Sequence, residues 1–157
     1  MKQLTRRNVG LIFGGLAAAS ARAEPGKAAT SLHQDVDLPA SPERVYQLLL
    51  TASLFSAFSK QPAEVEPTEG AAFKLFGARV EGRNVELVPN QRIVQAWRPA
   101  SWPAGVYSIV RFELSQRESL TRVSLDHAGF SEALWEHLNQ GWVANYWDPL
   151  RAYLAPA

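Results

Sequence analysis

No cysteine occurs among the 157 residues, which excludes disulfides, thiolate-bound metals, iron–sulfur clusters and a cysteine nucleophile together. Excess charge is missing as well. Sixteen basic residues against fifteen acidic ones leave a net charge of +1, and the basic positions are scattered, so no nucleic-acid partner is expected. The three histidines, His33, His127 and His137, stand at no metal-ligand spacing, and neither a glycine-rich phosphate loop nor a serine nucleophile elbow is present. No metal and no cofactor are therefore expected. What the chain does hold is apolar: 46% of it is hydrophobic, with seven Phe, five Trp and four Tyr, enough to furnish the core of one domain.

The first 23 residues have the three parts of an export signal. Lys2, Arg6 and Arg7 precede an uncharged run from Val9 to Ser20, and Ala21-Arg22-Ala23 offers small residues for cleavage before Glu24. Twelve uncharged residues fall short of the roughly 20 that span a bilayer as a helix, so no permanent membrane anchor is expected after cleavage. Thr5-Arg6-Arg7-Asn8-Val9-Gly10-Leu11 resembles the twin-arginine motif of bacterial export, with both arginines intact and a departure where Phe-Leu is common. The expected location is thus periplasmic or secreted, with the export machinery as a transient partner. The general secretory route is the alternative, the arginines then being an ordinary positive flank. Removing residues 1–23 leaves 12 basic and 15 acidic residues, a net charge of −3.

Residues 24–31 form a small-residue linker, and the domain is expected over 32–154. A first strand over His33–Leu38 stops at Pro39; Ser41 followed by Pro42 then starts a helix whose Val45, Leu48 and Leu49 share a face. A second short helix covers Ala52 to Phe58. Beyond Glu64 the period turns alternating: Phe73–Leu75, then Val80–Val88 with Val85 and Leu87 on one face, a turn at Pro89-Asn90, and Ile93, Gln95 and Trp97 together. Val106, Ser108, Val110, Phe112 and Leu114 form the next inward set, then Thr121, Val123, Leu125 and His127. At the end, Ser131 is expected to cap a long helix stapled by Phe130 against Trp135, with Leu134, Trp135, Leu138, Trp142, Tyr146, Trp147, Leu150 and Leu154 as its stripe. Pro149 should remove one backbone bond near Asn145. Strand, two helices, a run of strands and a long helix give an α+β, helix-grip domain, a curved antiparallel sheet wrapped around the last helix.

The chain resembles the START-like (SRPBCC) superfamily, of birch-pollen-allergen-like fold, and within it the branch similar to the C-terminal domain of the activator of heat-shock protein 90 ATPase. The resemblance lies in Pro42-Glu43-Arg44-Val45-Tyr46, Ala96-Trp97-Arg98-Pro99 with Trp102-Pro103, and Tyr107 to Leu114. It continues through Thr121 to Gly129, Gly141-Trp142 and Tyr146-Trp147-Asp148-Pro149-Leu150. It implies the fold and leaves activity open, because the superfamily holds carriers, hormone-binding proteins and cyclases alike.

A sheet curved around a helix leaves a concave apolar space, the expected site for a small hydrophobic or amphipathic molecule. Its candidate lining is Phe55, Phe58, Phe73, Trp97, Val110, Phe112, His127, Trp135 and Trp142, with Trp102 as a gate in the loop after Pro99. Each of these also fits a plain core role. His127, inward beside Val123 and Leu125, is the candidate titratable group; it would serve a cyclase, dehydratase or hydrolase-type reaction with Arg111 or Tyr107, or else be a satisfied core histidine. Glu132 and Glu136 read as helix N-terminal acids. The leading expectation is a non-enzymatic binding module. The family resemblance adds a chaperone partner as a third reading, which export to the periplasm disfavours.

Overall fold

The structure, a computed structural model, describes residues 30–157; the expected signal segment and almost all of the linker lie outside the described residues. Strand β1 spans Ser31–Leu38, and Ala40 leads into helix α1, Pro42–Leu50. The Ser41 hydroxyl accepts from the Arg44 N–H, and Pro42 fills the first turn, where a missing N–H costs nothing. Helix α2, Ala52–Ser59, buries Phe55 and Phe58.

Strands β2 (Ala72–Leu75), β3 (Val80–Val88), β4 (Arg92–Pro99), β5 (Ser108–Arg117) and β6 (Leu120–Ala128) follow as an antiparallel meander. β1 closes against β6, so the six-stranded order is β1-β6-β5-β4-β3-β2. Alternation sorts the faces: Leu32, Val36 and Leu38, then Ile93, Gln95 and Trp97, then Ser108, Val110, Phe112 and Leu114, then Thr121, Val123, Leu125 and His127 are all buried. The opposite face carries ion pairs, Arg122 on Asp37 and Arg111 on Asp126, both at 2.8 Å.

Two strand expectations need correction. Val85 does not share a face with Leu87, because the register slips between Asn84 and Glu86. As the extra residue of a bulge, Val85 is turned out, 52% exposed. The inward place goes to Asn84, which accepts from Gln95 Nε2 at 3.0 Å and donates to the carbonyls of Glu66 and Thr68, tying the preceding loop to the sheet. Val106 is likewise outside β5, an exposed loop residue three positions beyond Pro103, whose carbonyl its N–H reaches.

The C-terminal helix lies in the grip of the sheet, in segments. A 3-10 turn, Glu132–Leu134, precedes α3, Trp135–Trp142; a π-turn, Val143–Trp147, joins it to α4, Asp148–Leu154. The staple is not made. Ser131 makes no side-chain cap, Phe130 is buried against His127 with ring centroids 4.9 Å apart, and Trp135 remains 38% exposed, its indole donating to the Ser31 carbonyl. Leu138, Trp142, Tyr146, Trp147 and Leu150 do form the buried stripe. Pro149 has no N–H for the Asn145 carbonyl, and the helix widens there: the Asp148 N–H bonds five residues back, to Val143.

Candidate functional site

Much of the space between sheet and helix is filled by aromatic rings. Phe55 packs on Phe58, Phe76 and Tyr146 with centroids 4.7, 5.1 and 5.8 Å apart, and Phe112 lies edge-on to Trp142 at 5.7 Å. Trp142 in turn meets Tyr146 at 4.4 Å and Trp97 at 5.6 Å. Val110 is fully buried beneath this layer.

His127 sits at one end of the cluster with no exposed surface. The Trp142 indole can only donate, and it reaches His127 Nδ1 at 3.0 Å, so the ring proton is on Nε2. That proton goes to Ser108 Oγ at 2.7 Å, and the Ser108 hydroxyl passes its own to the Trp97 carbonyl at 2.9 Å. Both ring nitrogens are thus engaged internally. Burial pushes the imidazole pKa down to about 4, which keeps the ring neutral. Arg111 and Tyr107 are not beside it: Arg111 pairs with Asp126 on the outer face, and Tyr107 is exposed under the Arg98 guanidinium, 5.8 Å from its ring centre. His33 is on the outer face with Asp126, and His137 is exposed on α3.

What remains open is a cleft of about 170 Å³ between the β3–β4 end of the sheet and α3. Its wall is Phe76, Trp97, Leu138, Trp142 and Tyr146, with Val80, Pro99 and Gly141, and its rim holds Arg79, His137 and Asn145. Of the expected lining, this brings together Trp97 and Trp142. Phe55, Phe58, Phe112, Val110 and His127 lie behind the wall in the core, Trp135 is on the outer side of α3, and Trp102 packs edge-on to Trp97 at 6.3 Å. Phe73 borders a different hollow of about 500 Å³ on the outer face, whose walls include Glu64, Lys74, Glu81 and Arg83. Charged walls of that kind hold water in preference to an apolar guest.

The Trp102 loop is held from below by Arg98, a residue whose buried role the sequence did not signal. It is 7% exposed, pairs with Glu81, and donates to the carbonyls of Trp102 and Pro103. Phe76 and Tyr146, also missed as wall residues, belong respectively to a turn and to the π-turn. The turn from Phe76 to Ala78 has three successive residues at positive φ, 54°, 66° and 65°, which folds the Phe76 ring inward. Among the described residues no cluster of three or more metal-ligating side chains occurs, and no helix is long and apolar enough to cross a membrane.

A six-stranded antiparallel sheet gripping a C-terminal helix, with a cleft between them, defines the helix-grip class of α+β domains. Residues 39–155 match the model of the family described as Activator of Hsp90 ATPase homolog 1-like protein, and the chain belongs to that family. The human activator of 90 kDa heat shock protein ATPase homolog 1 is 30% identical over 111 residues, 71% of this chain and 33% of that protein. The Dictyostelium discoideum homologue is 31% identical over 112 residues, covering 71% and 29%. The chain therefore spans about a third of the length of these relatives. Among solved structures, an HSP90 activator from Plasmodium falciparum superposes with a TM-score of 0.75 at 24% identity, covering 80% of this chain and 96% of the other. CalU16 from Micromonospora echinospora gives 0.69 at 23%, covering 82% and 78%.

Proposed function

We propose that this domain is a binding module that holds a small hydrophobic or amphipathic molecule in the cleft between the sheet and the C-terminal helix, without transforming it. The observation that carries the reading is the cleft itself, an aromatic wall open at one side and lined by Trp97, Trp142 and Tyr146. The enzymatic alternative, a cyclase, dehydratase or hydrolase using His127, would need that ring to release one of its two internal hydrogen bonds. The N-terminal pattern supports delivery of the domain by twin-arginine export to the periplasm or beyond. Replacing both Arg6 and Arg7 by Lys should then leave unprocessed chain in the cytoplasm; normal processing would favour the general secretory route.

The binding reading is tested by native mass spectrometry of the protein purified from its own compartment, with denaturation to release any guest. A reproducible added mass should disappear in Gly141→Phe, which fills the cleft from α3, where an added Cβ meets only Asn145 Nδ2 at 3.9 Å. Retention of the mass in that variant would place the guest elsewhere. A second reading, association with an Hsp90-type chaperone, is favoured by the relatives, which are activators of the 90 kDa heat shock protein ATPase and of whose length this chain covers about a third. A stoichiometric complex with such a chaperone, unaffected by Gly141→Phe, would support it over small-molecule carriage.

A further inference from the structure

The indole N–H groups of Trp135, Trp142 and Trp147 donate to the Ser31 carbonyl, His127 Nδ1 and Gln34 Oε1. Trp97 breaks the pattern. Its Nε1–H and the Tyr146 hydroxyl face each other but neither has a partner of good hydrogen-bond geometry, and both side chains are buried in the wall of the cleft. An indole nitrogen is a donor only, whereas a phenol carries one proton and two lone pairs. Even where the phenol oxygen takes the indole proton, the phenol proton is left over, so the group missing from this wall is an acceptor. Burial raises the Tyr146 pKa far above its ordinary value, against a smaller opposing effect of the Trp97 indole, and the phenol proton is present throughout the accessible pH range.

Charge and size narrow the acceptor. None of the buried wall residues is charged, and Arg79 and His137 stand exposed at the rim, so a carboxylate at the deep end would be desolvated without a counter-ion. A neutral carbonyl meets no such penalty. The 170 Å³ of the cleft is close to the roughly 150 Å³ cavity that admits a benzene molecule. We infer that the cleft selects a molecule about the size of one six-membered ring bearing a neutral carbonyl oxygen, which the Trp97 indole N–H and the Tyr146 hydroxyl bind together. Neither atom is open to solvent, so the ligand reaches them by parting the two side chains. The inference rests on the binding reading above and adds the chemistry of the guest.

The test titrates 15N-labelled protein with acetophenone and with ethylbenzene, nearly the same shape with and without the oxygen, following the Trp97 indole resonance identified by its loss in Trp97→Phe. Acetophenone should shift that resonance downfield and bind about threefold to tenfold more tightly than ethylbenzene, as one or two net hydrogen bonds allow. Tyr146→Phe should reduce that preference and leave ethylbenzene binding within about twofold, because the ring contacts remain. Equal affinity of the two probes, both excluded by Gly141→Phe, would overturn carbonyl recognition and leave the binding reading standing. Binding of neither probe would overturn the inference, and the binding reading would then be decided by the native mass measurement above. Tighter binding of phenylacetate than of acetophenone, lost in Arg79→Gln, would overturn the neutral assignment in favour of an anionic guest.

Discussion

Acidification from pH 6.5 to pH 4 should remove about 3 kcal/mol of folding stability through His127 alone. The ring is neutral in the folded protein down to a pKa of about 4, while in the unfolded chain it takes a proton near 6.5. The folded pKa is the lower one, so the stabilisation is complete above pH 6.5, falls away between 6.5 and 4 as the unfolded state gains its proton first, and levels off below 4. At about 1.4 kcal/mol per pH unit, the 2.5-unit gap sets a ceiling of about 3 to 4 kcal/mol, of which about 3 kcal/mol is lost between pH 6.5 and pH 4. Other groups act elsewhere on the scale. The Asp126 hydrogen bond raises the His33 pKa, so its contribution is full below 6.5 and is lost only as pH rises through the higher folded value. The Ser124 hydroxyl on Asp35 and the Arg122 guanidinium on Asp37 lower those carboxyl pKa values below 3.8, which confines their loss to more acid solution. Urea unfolding followed by tryptophan fluorescence at half-unit steps from pH 7.5 to 4, paired with NMR titration of the histidine ring protons, would trace the slope to its residue. A flat stability between pH 6.5 and 4.5, or a His127 ring that titrates near 6.5, would refute the hydrogen-bond chain from Trp142 to the Trp97 carbonyl.

Three further outcomes follow from the packing. Ser108→Ala should cost about 1–3 kcal/mol in urea unfolding, since the His127 Nε2–H loses its buried acceptor; a cost under a few tenths would mean the ring is served by water. Gly82→Ala should destabilise more than an ordinary strand substitution, because its Cβ would fall 2.0 Å from the Ala96 carbonyl oxygen and 2.5 Å from Phe73 Cζ. An unchanged thermal midpoint in that variant would show that β3 can slide off Phe73 freely. Ala78→Gly should stabilise by about 0.5–1 kcal/mol, relieving a φ of 65° that only glycine adopts without cost, and a loss of stability would contradict the assigned turn.

Period and punctuation in the sequence carried most of the fold. Ser41-Pro42, the alternation from Ser108 to Leu114 and from Thr121 to His127, and the stripe from Leu138 to Leu150 all have local physical causes, and each is realised in the structure. The differences arise where a non-local contact decides. Val85 turns outward because Asn84 is drawn inward to Gln95 and to two loop carbonyls, a polar demand that hydrophobic alternation does not register. Trp135 is pulled toward the Ser31 carbonyl, away from Phe130. The cleft was legible as a space between sheet and helix, and Trp97 and Trp142 line it. Phe76, Arg79 and Tyr146 were not legible as its neighbours, since a left-handed turn and a widened helical turn bring them there.

That widened turn bears on how chains of this family are to be compared. A π-turn amounts to one residue more than an α-helix needs over the same rise, and here it allows the successive rings of Tyr146 and Trp147 both to be buried. A relative whose helix runs regularly through this region would reach the same packing with one residue fewer. Sequence alignments between the two kinds should therefore open a one-residue gap within 143–147, and an ungapped alignment would shift Trp147, Leu150 and Leu154 onto the wrong counterparts.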